Sequence, residues 1–132
     1  MIDANMTGLG IFQALTRGHR IREAAQHALE AEAETLADAI REAAPERTGN
    51  LRESVRVEPG DEPMKVVVTA GGTPETTKTT KDGRTFDEAL MTEYGTSHSA
   101  AEPFFWPTVE ANRDKIKANI DDTMGDAAST KE

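Results

Sequence analysis

Cysteine is absent from all 132 residues. Disulfides and thiolate metal sites are thereby excluded, and the redox compartment is left open. Aromatic residues are scarce, at 5%, and the apolar fraction is only 36%. That is a lean supply for the core of a lone monomer, and it leaves room for stability gained by oligomerisation. No stretch approaches the roughly 20 apolar residues of a membrane span. The first residues lack the basic start and apolar run of a signal peptide, so a chain made and used in solution is expected. Positive charge is also short: 15 Lys and Arg stand against 24 Asp and Glu, a net charge of -9. Phosphate contacts need clustered cations, which argues against general nucleic-acid binding. The same acidity suits a surface that DNA passes without sticking. The length fits one domain with one core, expected over residues 1–132, with flexible ends at 1–7 and 125–132.

What is present begins with a long helix. Residues 20–44 contain no Pro or Gly and are dominated by Ala, Glu, Arg and Leu, all strong helix formers. Ile21, Ala25, Leu29, Leu36 and Ile40 fall on one face of it. Gly18 separates this helix from a shorter turn carrying Leu9, Phe12 and Leu15, and Pro45 stops it. Residues 54–58 alternate and 65–70 form a β-branched run, with a Pro-Gly-Asp-Glu-Pro turn between them. An antiparallel hairpin follows. Residues 71–85 hold no large apolar side chain and read as a long loop, either a solvated extension or an arm that orders against a neighbour. Lys78, Lys81 and Arg84 give that loop a basic patch. Phe86, Leu90 and Tyr94 are four apart, which favours a short helix. Phe104, Phe105 and Trp106 lie between Pro103 and Pro107, and Pro107 suits the first turn of a following helix. Val109, Ile116, Ile120 and Met124 define that helix to about residue 124. The fold class expected is α+β: a long N-terminal helix and a C-terminal helix packed on a small antiparallel sheet, with a long central loop.

Nothing in the pattern points to catalysis. His19 and His27 are eight apart, whereas a helix-borne zinc pair needs a spacing of four with a glutamate beside the first. His98 lies between Ser97 and Ser99, but sequence neighbours do not make a nucleophile and base. Glu30, Glu32 and Glu34, like Asp121 and Asp122, read as solvated charge. No phosphate loop, dinucleotide fingerprint or nucleophile elbow is present. No catalytic residue, metal site or cofactor is expected.

Two ordered segments carry a family resemblance. The first is Ala44-Pro45-Glu46-Arg47-Thr48-Gly49-Asn50-Leu51-Arg52-Glu53-Ser54-Val55, after the alanine-rich helix. The second is Glu93-Tyr94-Gly95-Thr96, then Ala100-Ala101-Glu102-Pro103-Phe104-Phe105-Trp106-Pro107 and a last helix. Together they resemble the small tail-component family of siphophage-like necks, also found in prophages and gene transfer agents. Its members carry an "AP-x-x-TGNLR-x-S-[IV]" block and then an "E-[FY]-GT … PA-x-PF-x-x-P" block. The resemblance spans residues 8–120. Ala101-Glu102-Pro103 departs from the usual proline, alanine and small polar residue, and the Thr-rich segment 73–85 is longer than usual.

The resemblance implies an α+β subunit of a ring, most often sixfold, at the head–tail junction. Such a ring completes or terminates the tail, or joins it to the head connector. Its partners would be copies of itself, other neck or connector proteins and the tail-tube protein. Genome DNA would pass through without specific binding, and no membrane would be involved. Assembly in the bacterial host cytoplasm and residence in the virion follow. Thr48, Gly49, Asn50, Leu51, Glu93, Tyr94, Gly95, Thr96, Pro103 and Phe104 are the motif positions, read mainly as fold-holding. Trp106, Phe105, Lys78, Lys81 and Arg84 are the candidate interface residues. Two other readings compete: a small acidic dimeric adaptor or regulatory module, and a hydrolase using His98.

Overall fold

The structure is a computed structural model that describes residues 1–5, 19–47 and 49–129. The expected short turn with Leu9, Phe12, Leu15 and Gly18 lies outside the described residues, as do Thr48 and the side chains of His19 and Ile21. The class is α+β, with a long first helix, small antiparallel sheets and a C-terminal helix.

Helix α1 spans His19–Ala43, and the chain leaves it just before Pro45 as that residue dictates. Twenty-five residues at about 1.5 Å each make a rod of about 37 Å. Its inward stripe, Ala25, Leu29, Ala33, Leu36, Ala37 and Ile40, is buried throughout. The C-terminal helix α4, Trp106–Ser129, packs chiefly along α1 through Val109, Ile116, Ile120 and Met124. Alanines on α1 let the two backbones come close. Asn119 Nδ2 donates to Glu32 Oε1 across the joint at 2.9 Å. Ala33→Leu puts three extra carbons where none fit. Overpacking costs about 1–3 kcal/mol, and the melting temperature read by circular dichroism is expected to fall by several degrees.

The other face of α1 lies on a three-stranded antiparallel sheet of order β1-β3-β2. Strand β1 is Ile2–Asn5, β2 is Arg56–Pro59 and β3 is Val66–Ala70. The β2–β3 hairpin is the one the alternating pattern predicts, pairing Val57 with Val68 and Pro59 with Val66. Between α1 and β2 stands a single helical turn, α2, at Asn50–Glu53. It takes Ser54 and Val55 out of the predicted strand.

Strand β1 gives residues 2–5 a place in the sheet. Ile2 and Ala4 point into the core, Ile2 pairs with Ala70, and Asp3 Oδ1 accepts the Thr69 hydroxyl at 2.6 Å. At the other end α4 runs past Gly125 to Ser129. Gly125 costs that helix about 1 kcal/mol relative to alanine, less than is needed to end it.

The long central loop is also structured in part. Strands β4, Thr77–Thr79, and β5, Thr85–Asp87, form a second antiparallel hairpin with Lys78 opposite Phe86. Its root is held by a polar residue. Thr76 is 0% exposed, shares hydroxyl and backbone hydrogen bonds with Thr73, and accepts the Glu88 N–H at its carbonyl. Helix α3, Glu88–Tyr94, follows directly.

Candidate functional site: the α3–α4 joint and its neighbours

Helix α3 is short, and its buried face is not the one its apolar spacing suggests. Phe86 belongs to β5, while Leu90 and Tyr94 are 39% and 62% exposed. Ala89, Thr92 and Glu93 face inward. Two close fits set this orientation. Gly71 abuts Asp87 and Ala89 so tightly that a Cβ there would stand 2.7 Å from that of Ala89. Asp87 caps α3 through the Ala89 N–H at 2.9 Å and also accepts the Gly72 N–H at 2.9 Å.

The second fit is Glu93, a carboxylate only 4% exposed. Its Oε1 accepts the N–H groups of Phe104 and Phe105 at 2.9 and 2.8 Å. Its Oε2 accepts that of Trp106 at 3.1 Å. These are N–H groups at the start of α4, which has no acidic residue in its own first turn. The first N–H groups of a helix have no partner inside it, and the helix dipole favours negative charge there. Glu93 is therefore the cap of α4, supplied from another helix by a charge-assisted bond set.

The rest of the second motif block supports that cap. Gly95 has φ +75°, and a Cβ on it would lie 2.7 Å from the Ala101 nitrogen. The Thr92 carbonyl accepts the Glu102 N–H at 2.8 Å, so the link doubles back on α3. Thr96 Oγ1 accepts the N–H groups of His98 and Ser99, closing the intervening turn. Phe104 and Phe105 are seated edge to face, 6.3 Å between ring centres, and Phe105 meets Trp106 in the same way at 5.0 Å. The Trp106 indole N–H donates to the Tyr94 hydroxyl at 2.9 Å on the surface.

The first block builds a different corner. Gly49 has φ +85° and starts α2, Leu51 and Val55 are buried, and Asn50 opens the turn. Ser54 donates its hydroxyl to the Leu51 carbonyl at 2.6 Å and accepts the Gly71 N–H at 2.8 Å, tying α2 to the end of β3. Arg41 donates twice to the Val55 carbonyl from α1. The two blocks touch through an exposed ion pair, Arg47 with Glu102 at 2.7 Å, a contact worth little in solvent.

The candidate interface residues separate. Phe105 is 0% exposed and belongs to the core, which corrects its reading as a contact residue. An aromatic ring among Pro, Phe and Trp is as readily a core ring as a surface one, and the Glu93 cap draws this one inward. Pro103 is exposed beside it, and Trp106 is half-buried beside Tyr94. Lys78 is partly buried on β4, whereas Lys81 and Arg84 are exposed near the hairpin tip. Arg84 pairs with Asp82 at 2.9 Å. The Thr80 hydroxyl, and then Arg84, hold the Asp82 carboxyl below the usual carboxylate range.

His98 is exposed, and among the described residues its imidazole bonds to no serine or carboxylate. Among the described residues no cluster of His, Asp or Glu is placed to hold a metal ion, and no helix is long and apolar enough to cross a membrane. The geometry is that of joints and caps. Sequence reasoning missed the role of Glu93; the available signal was an unaccompanied helix start, Phe-Phe-Trp-Pro, with no acid of its own.

A family model described as "Bacteriophage HK97-gp10, putative tail-component" matches residues 12–94. No curated protein and no solved structure matches the chain.

Proposed function

The chain belongs to the HK97-gp10-like family of phage tail components, and from that premise we propose that it closes with copies of itself into a ring at the head–tail junction. As a structural tail protein it resides in the virion. The ring completes or terminates the tail, or joins it to the head connector, and contacts neighbouring neck and tail-tube proteins. The observation that carries the reading is the family match over most of the chain. Composition supports it: a net charge of -9 lets genomic DNA pass without being gripped. A subunit whose motifs are spent on caps and joints works by shape. Sixfold closure is the number proposed.

Native mass spectrometry of the purified chain, alone and with its neck partners, separates a closed ring from the dimer that an adaptor would form. The hairpin supplies a second test. Removing residues 73–85 whole would take out the buried Thr76, so the cut belongs at the tip. Replacing residues 80–84 with a two-residue Asn-Gly turn, which rejoins the paired Thr79 and Thr85, is expected to leave circular dichroism and melting temperature unchanged. The same variant is expected to lower the yield of complete particles at least tenfold. Full yield would remove the hairpin from the assembly surface.

A further inference from the structure

We infer that the groove between α1 and the open edge of β2 receives the basic β4–β5 hairpin of a second copy of this chain. The inference rests on the ring reading above and specifies which surfaces meet.

The groove is about 470 Å³ and is lined by Gln26, Glu30 and Glu34 from α1 and by Val57, Pro59 and Val66 from the sheet. Strand β2 is the last in the order β1-β3-β2, so its outer edge pairs with no strand among the described residues. An unpaired edge is a template for strand addition. Apolar Val57 and Pro59 form the sheet side, and exposed Glu30 and Glu34 form the helix side. Gln26 Nε2 holds Glu30 at 2.8 Å, along the wall.

The hairpin has the matching chemistry. Its residues 77–85 carry three cations, Lys78, Lys81 and Arg84, against one carboxylate, Asp82, in a chain that is acidic as a whole. Thr77, Thr79 and Thr85 are exposed on short strands whose outer edges pair with no strand among the described residues. The arm is preformed: Thr76 and Asp87 fix its root, and the Thr80 N–H bonds the Arg84 carbonyl at 2.7 Å to close its tip. Little ordering entropy remains to be lost on docking.

Position makes the contact intermolecular. The hairpin follows the Gly71 end of β3, while the groove runs from the Val66 end up to Val57, opposite Val68. Three strand residues at about 3.3 Å each put roughly 10 Å between its near end and Gly71, and no hairpin residue lines the groove. Donor and acceptor are therefore different patches of one chain. That is the head-to-tail arrangement, which closes into a ring when the rotation per subunit allows it.

The absence of cysteine gives a clean test. Ala31→Cys lies in the groove and Thr79→Cys on the hairpin, both exposed and both leaving the charges intact. Under mild oxidation the full chain with both substitutions is expected to give a reducible ladder of multimers on a denaturing gel. Each single variant gives no species above a dimer. Adding Glu30→Lys and Glu34→Lys to the double variant is expected to abolish the ladder, as is adding Lys78→Glu and Lys81→Glu. Mixing these two charge-reversed proteins restores it, because each reversed patch then meets its opposite. No ladder, a disulfide within one chain, or a ladder indifferent to charge reversal overturns the inference. A chain found in the particle neck that gives no ladder refutes this contact alone; a ladder from a chain absent from particles refutes the ring function and leaves the contact standing.

Discussion

Glu93→Ala is expected to detach the start of α4 and cost the protein about 3 kcal/mol or more. Three N–H groups, those of Phe104, Phe105 and Trp106, lose their acceptor together. Each buried donor left unpaired costs about 1–3 kcal/mol, and water reaching the cut end returns part of that. The positive end of the α4 dipole also loses its counter-charge. At this chain length the loss lowers the melting temperature by roughly 10 °C. Glu93→Gln retains an acceptor for two of the three N–H groups and sets an amide donor against the third. It is expected to fall between wild type and alanine. Urea titrations of the three proteins give the ranking. Equal stability for Glu93→Ala and wild type would refute the cap.

Phe105→Ala is the second large effect, about 3–5 kcal/mol for a fully buried aromatic ring. The interface reading of Phe105 and its core reading predict different experiments. A contact residue would spoil assembly and leave the isolated chain as stable as before. A ring that is 0% exposed and packed between Phe104 and Trp106 lowers the urea midpoint of the isolated chain itself. Trp106→Ala serves as the comparison. Trp106 is half-buried and held to the Tyr94 hydroxyl at the surface, so its loss is expected to be milder for folding.

Glu93 and Phe105 mark where the sequence stops being legible. Helix α1 could be read because its apolar residues, from Ile21 to Ile40, keep one period for about five turns. The β2–β3 hairpin could be read because a Pro-Gly turn separates two β-branched runs. Both signals are local. Strand β1 gives no such signal: four residues, two of them polar, acquire strand character only by pairing with β3, whose partner residues lie more than sixty positions away. The second hairpin is hidden for another reason. Its anchor is Thr76, whose hydroxyl is satisfied by Thr73, so a search for apolar anchors passes over it.

Helix α3 shows a period that misleads. The stripe Phe86, Leu90 and Tyr94 identifies a helix, but burial goes to Ala89, Thr92 and Glu93 because neighbouring elements need those positions. Gly71 needs a small residue opposite, and α4 needs a carboxylate. Charge reading fails at Glu93 in the same way. Nothing local distinguishes Glu93, the buried one among the described acidic residues. Within the second block, Glu93-Tyr94-Gly95-Thr96 and Pro103-Phe104-Phe105 fall together in space as cap, turn and capped helix. The family match agrees with that resemblance over residues 12–94.

Cryo-microscopy of particles from the source, with this chain located by a tag on the α4 end, tests the ring most directly. The account predicts density for several copies around the channel between head and tail, adjacent copies touching through unlike patches. Particles in which the chain is missing, or occurs as isolated copies away from the channel, would contradict it.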